Sequence, residues 1–469
     1  MASPDYHVEF LRMLGWDGEE LERLLPEWRH AAAFLNLSDE DVRYAVETWI
    51  PKYWNMKLEG VRKLIAACIW ETVEISKAEE YKKQGKKIVY SNTTASHACI
   101  YANRLAGKGE LHVFYPEFMV GTVKNAFFGK GTTAADASCL SQSCQHCALN
   151  KIRAGMCGEG EITAPTVTWN WGLHCNEAPK TEELVNCMYG DQWQDVFITI
   201  PHDAPLGCDE AGDEYRVAYL AAQIRQGQQQ VSELTGIPVT EKDMRDALDC
   251  YMGYMERLEI LTDLVVNADP QPISGNELTL FALCQQVCFD TGLDRINDAL
   301  DTMIVEVRDM IRKGEGILPK GAPKIACHFQ PLNFPWIDKA FQENGVALSL
   351  GRLFPPASWL KQCIDDDDVY YIVAHHCLMC PNAVNMLTEA QIDIKILSRY
   401  SFDGALFGFF SHDRWIGALH KTMIKEVEEK TGIPHYYLEG EFWNEGKYSM
   451  EDRMPFIRGI CNSLKIAKL

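Results

Sequence analysis

Apolar positions recur with a helical period from Asp39 to about Lys87 (DEDVRYAVETWI, then KLEGVRKLIAACIWETVEISKAEEYKKQGKK), and Pro51 predicts a break between the two runs. The pattern then changes. KKIVYSNTTASHACIYANRLAG reads as a short strand (Ile88, Val89, Tyr90), a polar turn and a helix, which opens an α/β unit. Further strands are predicted in ITAPTVTWNW and in DVFITIPHD, where Pro201 ends the β-rich run, with a helix in KTEELVNCMYG between them. Alternating strands and helices of this kind make a doubly wound sheet.

From Asp213 to about Lys313 the chain is helical in character, interrupted at GIPVTEKD and ADPQPISGNE, and Thr240 followed by Asp243 matches a helix-capping start. The alternation then resumes. APKIACHFQP, VALSL, GALFGFF and IPHYYLEG are strand candidates, separated by the helical segments PWIDKAFQENG, DDDDVYYIVAHHCLMC and IGALHKTMIKEVEEKTG and followed by a final helix. The expected architecture is α/β: two Rossmann-like doubly wound domains with a helical N-terminal cap and a helical connector. The boundaries fall at 1–84 (cap), 85–212 (first α/β domain), 213–322 (connector) and 323–469 (second α/β domain), and no internal sequence repeat is found.

Composition narrows the class of protein. With 469 residues, 47% hydrophobic and 10% aromatic, the chain can bury more than one core and has no disordered or repetitive stretch. Lys and Arg number 45 against 66 Asp and Glu, a net charge of −21, so there is no basic field to neutralise phosphates and no nucleic-acid partner is expected. MASPDYHVEF has neither a basic nor an apolar signal region, and no apolar run is long enough to span a bilayer, so the expected location is cytoplasmic, off the membrane. In a reducing compartment, 17 cysteines are core residues or metal ligands rather than disulfides.

In open α/β sheets ligands bind beyond the carboxyl ends of strands, which directs attention to four segments. Cys139-x4-Cys144-x2-Cys147 matches part of a plant-type ferredoxin spacing and is either a cluster-binding or a core group. Cys175 follows the strand of Trp169 and Trp171, a dry aromatic setting that suits a redox centre, although an isolated cysteine is more often core. FGFFSHDRW puts Ser411, His412, Asp413 and Arg414 directly after a strand, either as a site or as a helix cap. Cys377-x2-Cys380 beside His375 and His376 reads as half a zinc site or a redox pair. Cys284 and Cys288, four apart on an expected helix among Leu280, Phe281 and Phe289, read as core.

Over roughly residues 85–465 the segment order resembles the component-D subunits of 2-hydroxyacyl-CoA dehydratases and the equivalent subunits of ATP-dependent benzoyl-CoA reductases. The stretches that carry the resemblance are AHHCLMCPN, YSFDGALFGFFSHDRWIGA, IKEVEEKTGIPHYYLEGEF and the helix starting at MEDRMPF, which look closest to the larger benzoyl-CoA reductase-type subunit. The resemblance implies a 4Fe-4S cluster on three cysteines. Carried over by segment, the ligands are Cys144 (Cys147 as alternate), Cys175 and His412. His412 departs from the family, which places a cysteine there; it retunes the cluster, shifts ligation to Cys380 or Cys377, or abolishes it.

The family's substrate loop corresponds to YSNTTASHAC, so Ser91, Thr93 and His97 are candidates to bind the thioester carbonyl or to donate a proton, unless they only cap the next helix. The implied chemistry is one-electron reduction of an acyl-CoA thioester to a ketyl radical anion, followed by 2-hydroxyl expulsion or aromatic-ring reduction. Implied partners are a smaller homologous subunit and an ATP-dependent iron-sulfur activator protein. Two alternatives remain beside it: a non-catalytic electron-relay or scaffold subunit, and a zinc-binding α/β protein.

Overall fold

A computed structural model describes residues 4–92, 97–130, 148–158, 162–172, 177–201, 214–283, 285, 287–329, 335–351, 355–363, 365, 367–380, 386–407, 414–438 and 449–468. The N-terminal region is helical, as expected, and begins earlier than the 39–87 pattern, with α1 (Tyr6–Met13) and α2 (Gly18–Phe34). Asp39–Tyr44 continues through a π-helical turn at Ala45–Trp49 into Ile50–Tyr53. Pro51 therefore does not break the helix. The amide of Ile50 reaches back five residues to the Ala45 carbonyl, and this wider turn admits the proline ring; the chain leaves the helix only at Trp54. α3 (Glu59–Ser76) follows, its apolar residues almost all buried.

The first sheet holds β1 (Lys87–Asn92), β2 (Leu111–Phe114), β3 (Val167–Gly172) and β4 (Asp195–Thr199), all parallel, in the order β2-β1-β3-β4. Its helices are α4 (His97–Gly107), α5 (Pro116–Phe128), α6 (Ala148–Gly158) and α7 (Glu177–Tyr189). β2 is a strand that alternation does not announce, because all four of its residues are buried.

Three long helices, α8 (Glu214–Thr235), α9 (Glu241–Asn267) and α11 (Asp294–Lys313), and the shorter α10 (Gly275–Leu283) link the sheets. The expected cap on α9 is a complete capping box between Thr240 and Asp243. α10 ends at Leu283, so Cys288 is not on it; the thiol is buried all the same, in keeping with a core role, while Cys284 lies outside the described residues. α11 runs against α3 so closely that a Cβ on Gly60 would meet Met303 Cβ at 2.9 Å.

The second sheet holds β5 (Lys324–Phe329), β6 (Ala347–Leu350), β7 (Gly404–Phe407) and β8 (His435–Tyr437), also parallel, in the order β6-β5-β7-β8. Its helices are α12 (Pro335–Glu343), α13 (Val369–Leu378), α14 (Met386–Ser398), α15 (Arg414–Thr431) and α16 (Met450–Ala467). Counted from each sheet's own first strand the two orders are the same, so the fold repeats where the sequence does not. In each sheet the chain moves one way from the first strand to the second and the other way to the third. This creates two topological switch points, one between the carboxyl ends of β1 and β3 and one between those of β5 and β7.

Residues on opposite faces of the first sheet enter different cores. Val89, Val167, Trp169 and Trp171 pack with α4, α8 and α13, whereas Ile88 and Tyr90 pack with the N-terminal helices. The two sheet units are joined on the first of these sides. α13 lies along α8, with Arg225 Nη2 donating to both oxygens of Asp368 at 3.0 and 2.8 Å and the guanidinium 4.7 Å from the Tyr370 ring centroid.

Candidate functional site

At the first switch point β1 ends on Ser91 and Asn92, and α4 begins at His97. Ser91 is fully buried and its Oγ has no hydrogen-bond partner among the described residues. His97 is 1% exposed, and neither ring nitrogen has such a partner. Burial drives its pKa down to about 4, so the imidazole is neutral near pH 7. The first residue of α4 is therefore not a solvated cap but a dry, neutral imidazole. A buried polar atom left unpaired costs stability, so each calls for a specific explanation.

Two tyrosines, one on the same helix and one far away in the chain, flank His97. Tyr251 of α9 stacks on it with ring centroids 5.5 Å apart and planes 13° apart, and Tyr101 of α4 lies at 5.7 Å. The Tyr251 phenol is held well above its ordinary pKa, first by burial and then by the nearby thiols of Cys380 and Cys377, so it stays protonated. Three groups thus share one neighbourhood: His97 from the first α/β unit, Tyr251 from the connector, and the Cys377-x2-Cys380 end of α13 from the second unit. Tyr251 was not singled out in the sequence, where it sits in an ordinary amphipathic helix.

Within that motif Cys377 is buried, and the Cys380 thiol lies 3.5 Å from the His376 carbonyl, to which it donates. His376 is buried, which lowers its pKa to about 4. Its Nε2 is 2.7 Å from the Leu360 carbonyl, so Nε2 carries the proton. Among the described residues no three His, Cys, Asp or Glu side chains are grouped to hold a metal ion, and the C-x2-C pair with its two histidines does not form such a group.

Cys144, Cys147, Cys175 and His412 lie outside the described residues, as do Cys139, Thr93, Ser411 and Asp413. Their positions in the chain relative to the described elements are informative. Cys147 immediately precedes α6, Cys175 comes three residues after the end of β3, and His412 comes five residues after the end of β7. β3 and β7 are the equivalent strands of the two sheets, each flanking a switch point. On β3, Trp169 and Trp171 are buried and stacked at 5.5 Å.

On the other face of β3 lies a buried charge network. Arg153 of α6 is paired with Glu182 of α7 and Glu117 of α5, Trp193 donates to Glu182, and Asn170 of β3 donates to Asp195. Burial raises Glu117 and Asp195 to about 7. Helix-borne charges read as a solvated face in the sequence, and nothing local distinguishes Arg153.

A pocket opens at the carboxyl end of β6, lined mainly by Leu350, by Met255 and Leu258 of α9, by Leu278 and Ala282 of α10 and by Ile396 of α14, with Glu259 and Arg399 also in its wall. Tyr251, Met255 and Leu258 occupy successive turns on one face of α9. The helical rise puts Tyr251 and Leu258 about 10 Å apart along the axis, so one helix face connects His97 to this apolar pocket. No helix among the described residues is long and apolar enough to cross a membrane.

No curated protein matches the chain. A family model does: that of the 2-hydroxyglutaryl-CoA dehydratase D-component matches residues 138–454, a span holding β3, β4 and the whole second sheet. With more than half of its length matched, the chain belongs to the 2-hydroxyglutaryl-CoA dehydratase D-component family, a family of acyl-CoA dehydratase subunits.

Proposed function

We propose that this dehydratase-type subunit is an iron-sulfur protein of an ATP-activated radical enzyme acting on acyl-CoA thioesters, with Cys144, Cys175 and His412 as the cluster ligands and Cys147 and Cys380 as alternates. The observation that carries the reading is positional: Cys175 and His412 follow the equivalent strands β3 and β7, each beside a switch point, in a chain matched by the family model. Thiolate and imidazole both ligate cluster iron, so the donor set fits a 4Fe-4S group. When bound, that group supplies one-electron chemistry and an iron able to contact the substrate oxygen.

The chain's own residues prepare the rest of the site. Neutral His97 and Ser91 each present a buried polar atom at the end of β1, suited to hydrogen-bond a thioester carbonyl, and His97 is placed to give or take a proton at a ring nitrogen. Tyr251 covers the imidazole and stays protonated, and the paired tryptophans of β3 exclude water. The pocket below α9 is apolar enough for an acyl chain. Partners in this reading are a smaller homologous subunit and an ATP-dependent iron-sulfur activator protein.

The test is anaerobic turnover of the assembled complex, with activator and ATP, on 2-hydroxyacyl-CoA and aromatic acyl-CoA thioesters. Enoyl-CoA product establishes dehydration and dienoyl-CoA product ring reduction; no product from either class refutes a catalytic role. Ala282→Trp, which fills the pocket, should depress turnover of long acyl chains more than short ones.

A further inference from the structure

His97 is buried, yet neither ring nitrogen has a hydrogen-bond partner among the described residues. A histidine is ordinarily oriented by a hydrogen bond from one of its nitrogens, as His376 is by the Leu360 carbonyl at 2.7 Å. What fixes the His97 ring is aromatic contact on two sides. Tyr251 of α9 lies against it with ring planes 13° apart, and Tyr101, one turn further along α4, meets it at 5.7 Å with planes 43° apart. Phenylalanine at position 97 would keep both contacts without burying two polar atoms, so packing alone does not call for histidine here.

Tyr101 is buried and is itself locked in place. His97, Tyr101 and Arg104 follow at intervals of four and three residues and so share one face of α4. The Arg104 guanidinium carbon lies 5.7 Å from the Tyr101 ring centroid, and Arg104 Nε donates to the Asp290 carbonyl at 2.6 Å. Two residues on, Gly292 has φ +83° and passes so near the phenol that a Cβ there would lie 3.0 Å from the Tyr101 hydroxyl oxygen. The turn that carries both residues is pinned from two elements. Glu71 of α3 accepts from the Asp290 amide at 3.0 Å and from the Thr291 amide and hydroxyl at 3.0 and 2.9 Å. On β2, the Val113 amide donates to Asp290 Oδ1 at 2.9 Å, and His112 Nδ1 lies 2.8 Å from Oδ2. A series of direct contacts therefore runs from α3 and β2 through the Asp290–Gly292 turn, Arg104 and Tyr101 to His97.

We infer that Tyr101 is a positioning residue for His97: Arg104 and the Asp290–Gly292 turn hold its phenol ring against the imidazole, which fixes the imidazole's orientation while leaving both nitrogens uncommitted. A carbonyl oxygen or a proton can then be met at a ring nitrogen without first breaking a bond inside the protein. This rests on the role proposed above for His97 and adds the residue that sets its geometry. Tyr101 acts through His97 and not on the substrate.

The experiment compares the full-length wild type with Tyr101→Leu, Tyr101→Phe, Arg104→Met and His97→Phe, each checked for folding by far-UV circular dichroism and melting. The readouts are the His97 pKa, from nuclear magnetic resonance titration of histidine-labelled protein with His97→Phe assigning the signal, and kcat and KM of the assembled complex on an acyl-CoA thioester. Tyr101→Leu removes one of the two flanking rings and admits water, so the His97 pKa should rise from about 4 by about one pH unit. A loosened imidazole should lower kcat by about 10–100-fold with KM little changed. Tyr101→Phe, which keeps the ring, should restore both, and Arg104→Met should fall between. His376, held by its own hydrogen bond, should titrate alike in every variant. Folded Tyr101→Leu with a wild-type His97 pKa or a wild-type kcat overturns the inference while leaving the role of His97 intact. Wild-type kcat in His97→Phe, or a complex without turnover, overturns that role and the inference together. Should Tyr101→Leu not fold, Arg104→Met decides: a raised His97 pKa with reduced kcat supports the inference, and wild-type values of either overturn it.

Discussion

The neutral state of His97 has a measurable consequence for acid stability. The pKa falls from an ordinary 6.5 to about 4 because the buried ring cannot carry charge cheaply. A depressed folded-state pKa means that the unfolded chain takes up the proton first. Stability is therefore complete above about pH 6.5 and is lost as the pH falls from there toward 4. Linkage gives a loss of about 1.4 kcal/mol at pH 5.5, rising to about 3.4 kcal/mol below pH 4. His97→Phe removes the titration but keeps a ring against Tyr251. Since the imidazole nitrogens have no partners among the described residues, little is lost at pH 7.5. Urea unfolding of both proteins at pH 7.5 and 5.5 isolates the effect, because every other titrating group, His376 included, cancels in the comparison. His97→Phe should lose about 1.4 kcal/mol less than wild type over that interval. Parallel losses would refute a neutral, buried His97.

Two further substitutions probe the frame around the site. A Cβ on Gly227 of α8 would lie 2.8 Å from Ile198 Cγ2 and 3.2 Å from Trp169 Nε1, so Gly227→Ala should destabilise by about 1 kcal/mol, overpacking of about 1–3 kcal/mol outweighing better helix propensity; a raised melting temperature would contradict the tight seat of Trp169. Thr240→Ala removes the oxygen that accepts from the Asp243 amide at 3.2 Å, and should cost about 1 kcal/mol in thermal unfolding. An unchanged melt would show that α9 does not depend on its cap.

Much of the fold was legible because strands and helices announce themselves by period and boundary. Seven of the eight strands among the described residues coincide with predicted runs, and β2 does not, since a short strand buried on both faces carries no alternation. Pro51 misled because a proline rule assumes an α-helical hydrogen-bond ladder, and here a π turn replaces it. Of the proposed site, Ser91 and His97 are legible from their place after a strand. Tyr251 and Arg153 are not: one stacks on a residue more than a hundred positions away, and the other is buried only because α5, α6 and α7 converge. Long-range burial leaves no mark on local sequence.

The central claim is that this chain carries an iron-sulfur cluster on cysteine and histidine residues beyond its strand ends. Anaerobic purification followed by iron and acid-labile sulfide analysis of wild type, Cys144→Ala, Cys175→Ala and His412→Ala tests it most directly. The account predicts about four iron and four sulfide per wild-type chain, a broad absorbance near 400 nm and loss of both in Cys175→Ala. A colourless wild-type protein without iron, or full cluster content in Cys175→Ala, would contradict it.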